Sequence, residues 1–371
     1  MSIEMEKIIA KADLANRPEF SRFKKNIETQ GNLPIFPLTF PSLDGRFGVI
    51  LVGDYIAQDL IAYMTAIQKD FHDKWIVLSS TQSDAVPKDC KDVDFNIFSN
   101  SGGVDEYLAS PAFKVPYSTD LTDGHYVDPE IFFPNPNAKK FWDIFYPAKW
   151  YPTKKIEILL ETARLDPELK IVIYGWPVVS ERKSDLSTEY RNALVSEAQE
   201  LDNVTIFNKS IELVPNHVNL DGSVVVGSFT KDQMRESFFW RTRSVICLSE
   251  NTEAVNRGCT EALCCDIPIL VASTKGGLEK LVNYNTGILI DRTAHGIVEG
   301  YNNLRQMESL NPRQNFLANF GKEKANQKLR NIVDQISRRR SVIINWDEYR
   351  SYGGDPWTSP SIYMPILNNN Y

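Results

Sequence analysis

Apolar runs of three to six residues recur along the chain and alternate with stretches of helical apolar spacing. The runs at 48–52 (GVILV), 75–78, 95–98, 144–146, 171–174, 204–207, 245–248 and 267–272 are continuous rather than alternating, apart from Asn96 and Thr205. Continuous apolar runs bounded by turn residues are the pattern of strands covered on both faces. Between them, residues 55–71 carry Ile56, Leu60, Tyr63, Met64 and Ile67 at helical spacing. Further helices are predicted at 4–12, 104–108, 185–200, 296–307 and 316–336, with Thr153 as the cap of a helix reaching Arg164. Thr230 and Gln233 form a capping-box signal for a helix ending near Trp240. Residues 114–117 read as another strand, and 211–226 as an inserted hairpin about Asp221-Gly222. Strand, turn, helix, strand is the unit of a parallel α/β sheet, in which ligands bind at the carboxyl ends of the strands.

The chemistry concentrates between Ser244 and Asp291. The apolar run ends at Leu248, a polar turn follows, and Glu253 and Glu261 stand on either side of a helix-like segment with seven residues between them. A helix beginning near Ala254 or Val255 puts Glu253 at its mouth and Glu261 two turns in. The two carboxylates are then about 12 Å apart at ~1.5 Å rise per residue. The unpaired N–H groups of the first turn, around Val255 and Asn256, form an anion site between them. That span suits a sugar–diphosphate–nucleoside, with one carboxylate on sugar hydroxyls and the other on the ribose.

Glu253, Glu261-Ala262-Leu263, Asp266-Ile267-Pro268-Ile269, Gly276-Gly277-Leu278-Glu279 and Thr286-Gly287-Ile288-Leu289, in that order, resemble the nucleotide-sugar site of retaining glycosyltransferases of the GT-B fold. The group is the glycosyl transferases group 1, typified by sucrose synthase and by bacterial mannosyl- and glucosyltransferases. The resemblance implies an α/β chain of two Rossmann-like domains with a cleft between them. It implies a hexosyltransferase that moves a sugar from a nucleotide sugar to an acceptor, a carbohydrate or glycolipid, with retention and without metal or cofactor. Glu253 then holds sugar hydroxyls at the anomeric carbon, and Glu261 the ribose. Lys149 and Lys154, five apart across a strand-to-helix turn, clasp the leaving diphosphate with Val255 and Asn256. The family has Arg before Lys at that spacing, so the grip lacks one bidentate fork. The turn 208–210, with Ser210, lies where the family cradles the nucleobase, and His125 at the interdomain hinge is the candidate on the acceptor side. Arg257 is read either as a phosphate contact or as a solvated side chain.

Composition narrows the remaining choices. A chain of 371 residues suits two domains. The boundaries read as an extension at 1–45, an abbreviated amino-terminal domain at 46–137, a nucleotide-sugar domain at 138–336, and a crossover helix with a tail at 337–371. The net charge of −7 argues against general nucleic-acid binding. No run of about 18 uncharged apolar residues offers a membrane span, and the acidic amino terminus is unlike a signal peptide. The Arg338–Arg340 triplet reads as a solvated helix end and leaves a peripheral contact with an anionic membrane open. Four of the five Cys crowd the central stretch without C-x-x-C spacing. They read as buried thiols of a cytoplasmic protein, not as metal ligands. Asp92-Val93-Asp94 precedes its strand and reads as a solvated strand end, and no set of metal ligands is found. A non-catalytic nucleotide-sugar sensor, an epimerase or hydrolase on the same fold, and an interaction protein are the competing functions. The sequence fixes neither sugar nor acceptor nor oligomeric state.

Overall fold

The computed structural model describes residues 35–53, 61, 65, 70–81, 93–98, 116–118, 121–177, 184–209, 217–218, 224–226, 229–250, 255–274 and 276–349. Chain contacts divide it into two compact units, Met1–Tyr126 with Glu323–Tyr371, and Val127–Lys322. The predicted helices at 4–12 and 104–108, most of that at 55–71, and Glu253 and Ser210 lie outside the described residues.

The first unit holds strands β1 (Ile35–Thr39), β2 (Gly48–Gly53), β3 (Trp75–Thr81), β4 (Phe95–Phe98) and β5 (Tyr117–Ser118), paired in that order. β1 is antiparallel to β2, and the others are parallel to their neighbours. The segment at 35–39 is therefore a sheet strand and no detached extension: Leu38 is fully buried. Ala325, Leu329, Val333 and Ile336 present one helical face to the core formed by Leu38, Val49, Leu51, Ile76 and Leu78. That packing assigns the helix Lys322–Arg340 to the first unit, so the second boundary falls at 322/323 instead of 336. The single helix expected over 316–336 is two, parted at Gly321.

Arg340 is no solvated helix end. Its Nη1 lies 3.1 Å from both carboxylate oxygens of Asp94 and 3.0 Å from the carbonyl of Trp75, and its Nη2 donates to the carbonyl of His72. Asp94 also accepts from the backbone N–H of Val77 at 2.9 Å, so it closes a structural ion pair where a solvated strand end was expected.

Among the described residues, the second unit is built on eight strands in the order β13-β12-β11-β6-β7-β8-β10-β9. They are β6 (Trp142–Lys149), β7 (Ile171–Trp176), β8 (Val204–Lys209), β9 (His217–Val218), β10 (Val224–Val226), β11 (Thr242–Cys247), β12 (Ile269–Ala272) and β13 (Gly287–Ile290). Every pairing is parallel except β9 with β10, the expected hairpin. The helices are α1 (Glu157–Leu165), α2 (Ser184–Ala198), α3 (Lys231–Ser237), α4 (Arg257–Cys264), α5 (Ala294–Arg305) and α6 (Pro312–Asn319). Alternate residues along each strand enter two different cores. Ile144, Tyr146, Ile171, Ile173 and Ile246 meet α1, α2 and α5 on one face. Phe145, Val172, Val245 and Cys247 meet α4, Phe238 and Phe239 on the other. Both faces are covered, so the strands read as unbroken apolar runs. Fully burying such a side chain contributes roughly 1.5–3 kcal/mol.

Val127 and Phe132 belong to the second of these cores, so the chain passes into this unit ten residues before the Asn137 expected from the turn-rich PNPNAKK segment. The chain leaves β6 towards β7 on one side and returns to β11 on the other. Their carboxyl ends flank the switch point at which an open α/β sheet offers a crevice.

Candidate functional site

A cavity of about 390 Å³ opens at that switch point. Lys149, the last residue of β6, lines it together with Lys154, Tyr174 and Trp176, Phe229 and Met234, and Asn256, Arg257, Gly258 and Glu261. The structure thus brings Lys149, Lys154, Asn256 and Glu261 of the sequence-predicted set to one cavity.

The turn that presents Lys154 is short and held from both sides. Pro152–Lys154 is a single 3-10 turn, ended by Lys155 in the left-handed region (φ 54°). The helix behind it starts only at Glu157, so Thr153 is not its cap. Tyr146 Oη donates to the Lys154 carbonyl at 2.8 Å, and Glu250 N–H donates to the Thr153 carbonyl at 2.7 Å. Lys154 Nζ reaches Ser249 Oγ at 3.4 Å, and Lys155 pairs with Glu250 at 2.9 Å. The loops after β6 and after β11 are therefore tied to each other at the mouth of the cavity.

Helix α4 starts later than its sequence suggests. Asn256 is the N-cap, with backbone in the extended region and its side chain accepting from Cys259 N–H at 3.3 Å. An asparagine outside the helix with its oxygen turned to the third residue is a strong start signal. Glu261 consequently lies about one turn into the helix, not two. Val255 is a core residue, 5 % exposed, and its side chain takes no part in the cavity wall. The helix begins with Arg257, whose Nε lies 3.8 Å from Glu261 Oε1. Gly258 lets the first turn come close to β6: a Cβ there would stand 2.6 Å from Pro147 Cγ.

Part of the lining is aromatic, with Trp176 beside Lys149 on the neighbouring strand. Tyr174 and Phe229 meet at 5.6 Å between ring centroids, and Tyr174 and Trp176 at 5.8 Å. Burial pushes the Tyr174 phenol up to about 12, so it stays protonated at neutral pH.

Two further residues hold the loops, and the sequence reading gave neither a role: Glu279 entered it only as part of the Gly-Gly-Leu-Glu string, and Arg292 not at all. Arg292, just after β13, donates to the carbonyls of Leu248, Ser249 and Ser273. Glu279 accepts from Ser273 Oγ at 3.0 Å and from Gly277 N–H at 3.2 Å, fixing the glycine turn after β12. The Gly-Gly-x-Glu spacing carries a trace of the second role, since Gly277 sits at φ 107°, where a side chain is strained. Nothing local marks the first, because its partners are backbone carbonyls far along the chain.

His125 belongs to the first unit. It is 6 % exposed in a one-turn helix, Asp123–Tyr126, and its Nδ1 accepts from Thr122 N–H at 3.1 Å. This is a packed structural position instead of an open acceptor-side one.

The profile of the family described as glycosyl transferases group 1 matches residues 127–324, more than half of the chain and the whole second unit. The chain belongs to the glycosyl transferases group 1. This glycosyltransferase is similar in fold to sucrose-phosphate synthase from Thermosynechococcus elongatus, with a TM-score of 0.57 at 15 % identity over 85 % of this chain and 77 % of that one. It is also similar to Anabaena HepE in complex with UDP and glucose, with a TM-score of 0.54 at 14 % identity over 77 % of this chain and 78 % of that one. A search of curated proteins gave no match. The fold class is accordingly α/β of the GT-B type, with a Rossmann-like sheet in each of the two units. Among the described residues, no helix is long and apolar enough to cross a membrane. The four described cysteines, Cys247, Cys259, Cys264 and Cys265, are all buried and free.

Proposed function

We propose that this glycosyltransferase transfers a hexosyl group from a nucleoside diphosphate sugar to a carbohydrate or glycolipid acceptor, with retention at the anomeric carbon and without metal or cofactor. One observation carries the reading: Lys149 and Lys154 line the same cavity at the sheet's switch point as Glu261, which is far from them in sequence. Two ammonium groups at one end offset the charge that develops on a departing diphosphate, which is the work a divalent cation performs elsewhere. The open end of α4 adds its N–H groups. Glu261, one turn further in, accepts ribose hydroxyls, and Tyr174 and Trp176 give the nucleoside an aromatic wall. Glu253 is assigned the sugar hydroxyls and Ser210 the nucleobase turn, both on the strength of the sequence resemblance alone. Four buried free thiols suit a reducing compartment, and we assign the protein to the cytoplasm.

UDP is the first nucleotide to test, since it is the one bound in the structure of HepE. A thermal-shift screen against UDP, GDP and ADP and their hexose conjugates, with magnesium and with EDTA, tests the reading. A ligand at a hundred times its Kd stabilises by about 2.7 kcal/mol. The expected result is a shift selective for one nucleotide, unchanged by EDTA and lost in Glu261→Ala. The absence of any shift in the wild-type protein refutes the donor site; a shift that vanishes with EDTA refutes metal independence.

A further inference from the structure

A second cavity, of about 620 Å³, opens at the opposite end of the same sheet. Asp143 and Arg243 reach it from the amino ends of β6 and β11, and Glu168 and Asp266 from the turns before β7 and β12. Lys140 enters from the segment before β6, and Arg305 is the last residue of α5. These charges are not equally engaged. Asp143 accepts from Tyr301 Oη and from Lys170 N–H at 2.9 Å, and lies 3.3 Å from Arg243 Nε. Asp266 Oδ1 accepts from Arg313 N–H at 3.0 Å. Among the described residues, no hydrogen bond or ion pair reaches the side chain of Lys140 or of Arg305. The Arg305 guanidinium rests over the Tyr301 ring, 5.9 Å from its centroid. Lys140 is held at a cost. Burial pushes its ammonium down to about 8, Arg243 acts in the same direction, and Asp266 opposes them. Cys265 nearby carries no charge, because burial pushes its thiol up. A desolvated cation beside a second unpaired one, both on one cavity, is matched by an anion.

We propose that this cavity is a second binding site, which takes a hydroxylated phosphate monoester of the sugar phosphate class. The Lys140 ammonium and the planar fork of Arg305 receive the phosphate oxygens. Glu168, exposed at the rim, and the second carboxylate oxygen of Asp266 accept from hydroxyl groups. Leu304 and Met307 give the C–H face of a sugar ring an apolar surface. The mixture of charges selects this class. A ligand anionic throughout meets three carboxylates, and an apolar one leaves charged walls without partners. A phosphate at one end and hydroxyls at the other satisfy both kinds of wall. The inference is independent of the donor-site reading, since the two cavities share no lining residue.

Titration calorimetry on the full chain tests it, with the 6-phosphates of glucose, mannose and fructose, and with glucose and inorganic phosphate as the two halves of the ligand. At least one sugar phosphate should bind about tenfold or more tighter than inorganic phosphate, and glucose alone should give no heat. Lys140→Met and Arg305→Gln should each weaken that binding by about tenfold or more, the usual loss when a charged hydrogen-bond partner is removed. Lys149→Met, in the donor cavity, should leave it unchanged. A bound anion raises the pKa of Lys140, so affinity is full below pH 8 and falls as pH rises above it. Protons are therefore taken up on binding at pH 8.5, where about three quarters of the free lysine is neutral, and hardly at all at pH 7. Heats in two buffers of different ionisation enthalpy measure this uptake, which should be absent in Lys140→Met. Failure of all three sugar phosphates to bind overturns the inference. Inorganic phosphate binding as tightly as the sugar phosphates overturns it too, as an adventitious ion only. So do binding or proton uptake that persists in Lys140→Met, and binding lost in Lys149→Met, which moves the ligand to the donor cavity.

Discussion

Arg292 Nε donates to the carbonyl oxygen of Leu248 at 2.9 Å, across forty-four residues of sequence. Its Nη2 takes the next carbonyl, Ser249, at 2.8 Å and that of Ser273 at 2.6 Å. One planar group thereby fixes the ends of β11 and β12, and through Ser249 it sets the hydroxyl that meets Lys154. Hydrogen bonds to a charged group contribute roughly 1.5–3 kcal/mol each where they are well formed, and less where solvent reaches them. Arg292→Met should therefore lower the unfolding free energy by about 2 kcal/mol in urea titration. It should also weaken nucleoside diphosphate binding, although Arg292 does not line the cavity. Equal binding in the variant would show that the loop holds its own shape.

A second prediction concerns how closely the sheet is covered at the same end. Gly175, next to last in β7, faces the indole of Trp150, and a Cβ there would stand 2.0 Å from the ring. Trp150 is 1 % exposed and has no space to retreat. Gly175→Ala should destabilise by about 1–3 kcal/mol or more, the range for overpacking a dense interior. Thermal melting measures it, and Gly45→Ala, at a turn where a Cβ meets nothing within 4 Å, separates crowding from loss of left-handed backbone (φ 87° at Gly45).

The difference between Gly175 and Arg292 explains what the sequence made legible. Residues 171–174 and 245–248 read as strands because the two faces of the sheet are both buried, and burial on both faces writes an unbroken apolar run. The capping box of Thr230 and Gln233 was legible because both partners are local, and it forms as expected. The start of α4 was misplaced although Asn256 signalled it: Ala254 and Val255 ahead of it carry no stop, and only the extended backbone of Asn256 sets the boundary. Arg292 and Arg340 were not legible at all, since each acts on carbonyls that any residue supplies. His125 drew a chemical reading because it is a histidine; local sequence gave no sign that its Nδ1 accepts from the backbone N–H of Thr122, three residues earlier.

The first unit has its own partly buried charge pair. Asp94 and Arg340 have side chains 19 % and 26 % exposed, and Arg340 also holds two carbonyls at the end of the sheet. Removing one partner of such a pair leaves the other charge without compensation, which costs more than the pair contributes. Asp94→Ala should destabilise by about 2–4 kcal/mol, and Arg340→Met by a similar amount because three acceptors then lose their donor. In the double variant the loss should be clearly less than the sum of the two, as expected for residues in direct contact. Additive losses would mean that each side chain acts through its backbone partners alone. None of these changes should alter nucleotide binding measured at saturation of the folded state.

Lys140 supplies a dependence on pH. It lies on a separate cavity of about 620 Å³ with Asp143, Arg243, Asp266 and Tyr301 among its walls. Burial pushes its ammonium down from 10.5 to about 8, and Arg243 adds to the effect while Asp266 opposes it. The sign follows from proton binding. Below pH 8 the lysine is charged in both the folded and the unfolded chain, and the cost of burying that charge is fully present. Between pH 8 and 10.5 the unfolded chain binds more protons, so this residue's contribution becomes less unfavourable as pH rises. Lys140→Met should therefore raise stability at pH 7, by about 1 kcal/mol because the ammonium keeps part of its hydration. The gain should shrink above pH 8 and vanish near pH 10.5. Urea midpoints of the two proteins at pH 7, 8.5 and 10 measure the difference, in which the titration of every other group cancels. A gain that stays constant across that range would assign the effect to better packing of methionine, and a loss at pH 7 would mean that the ammonium has a partner of its own.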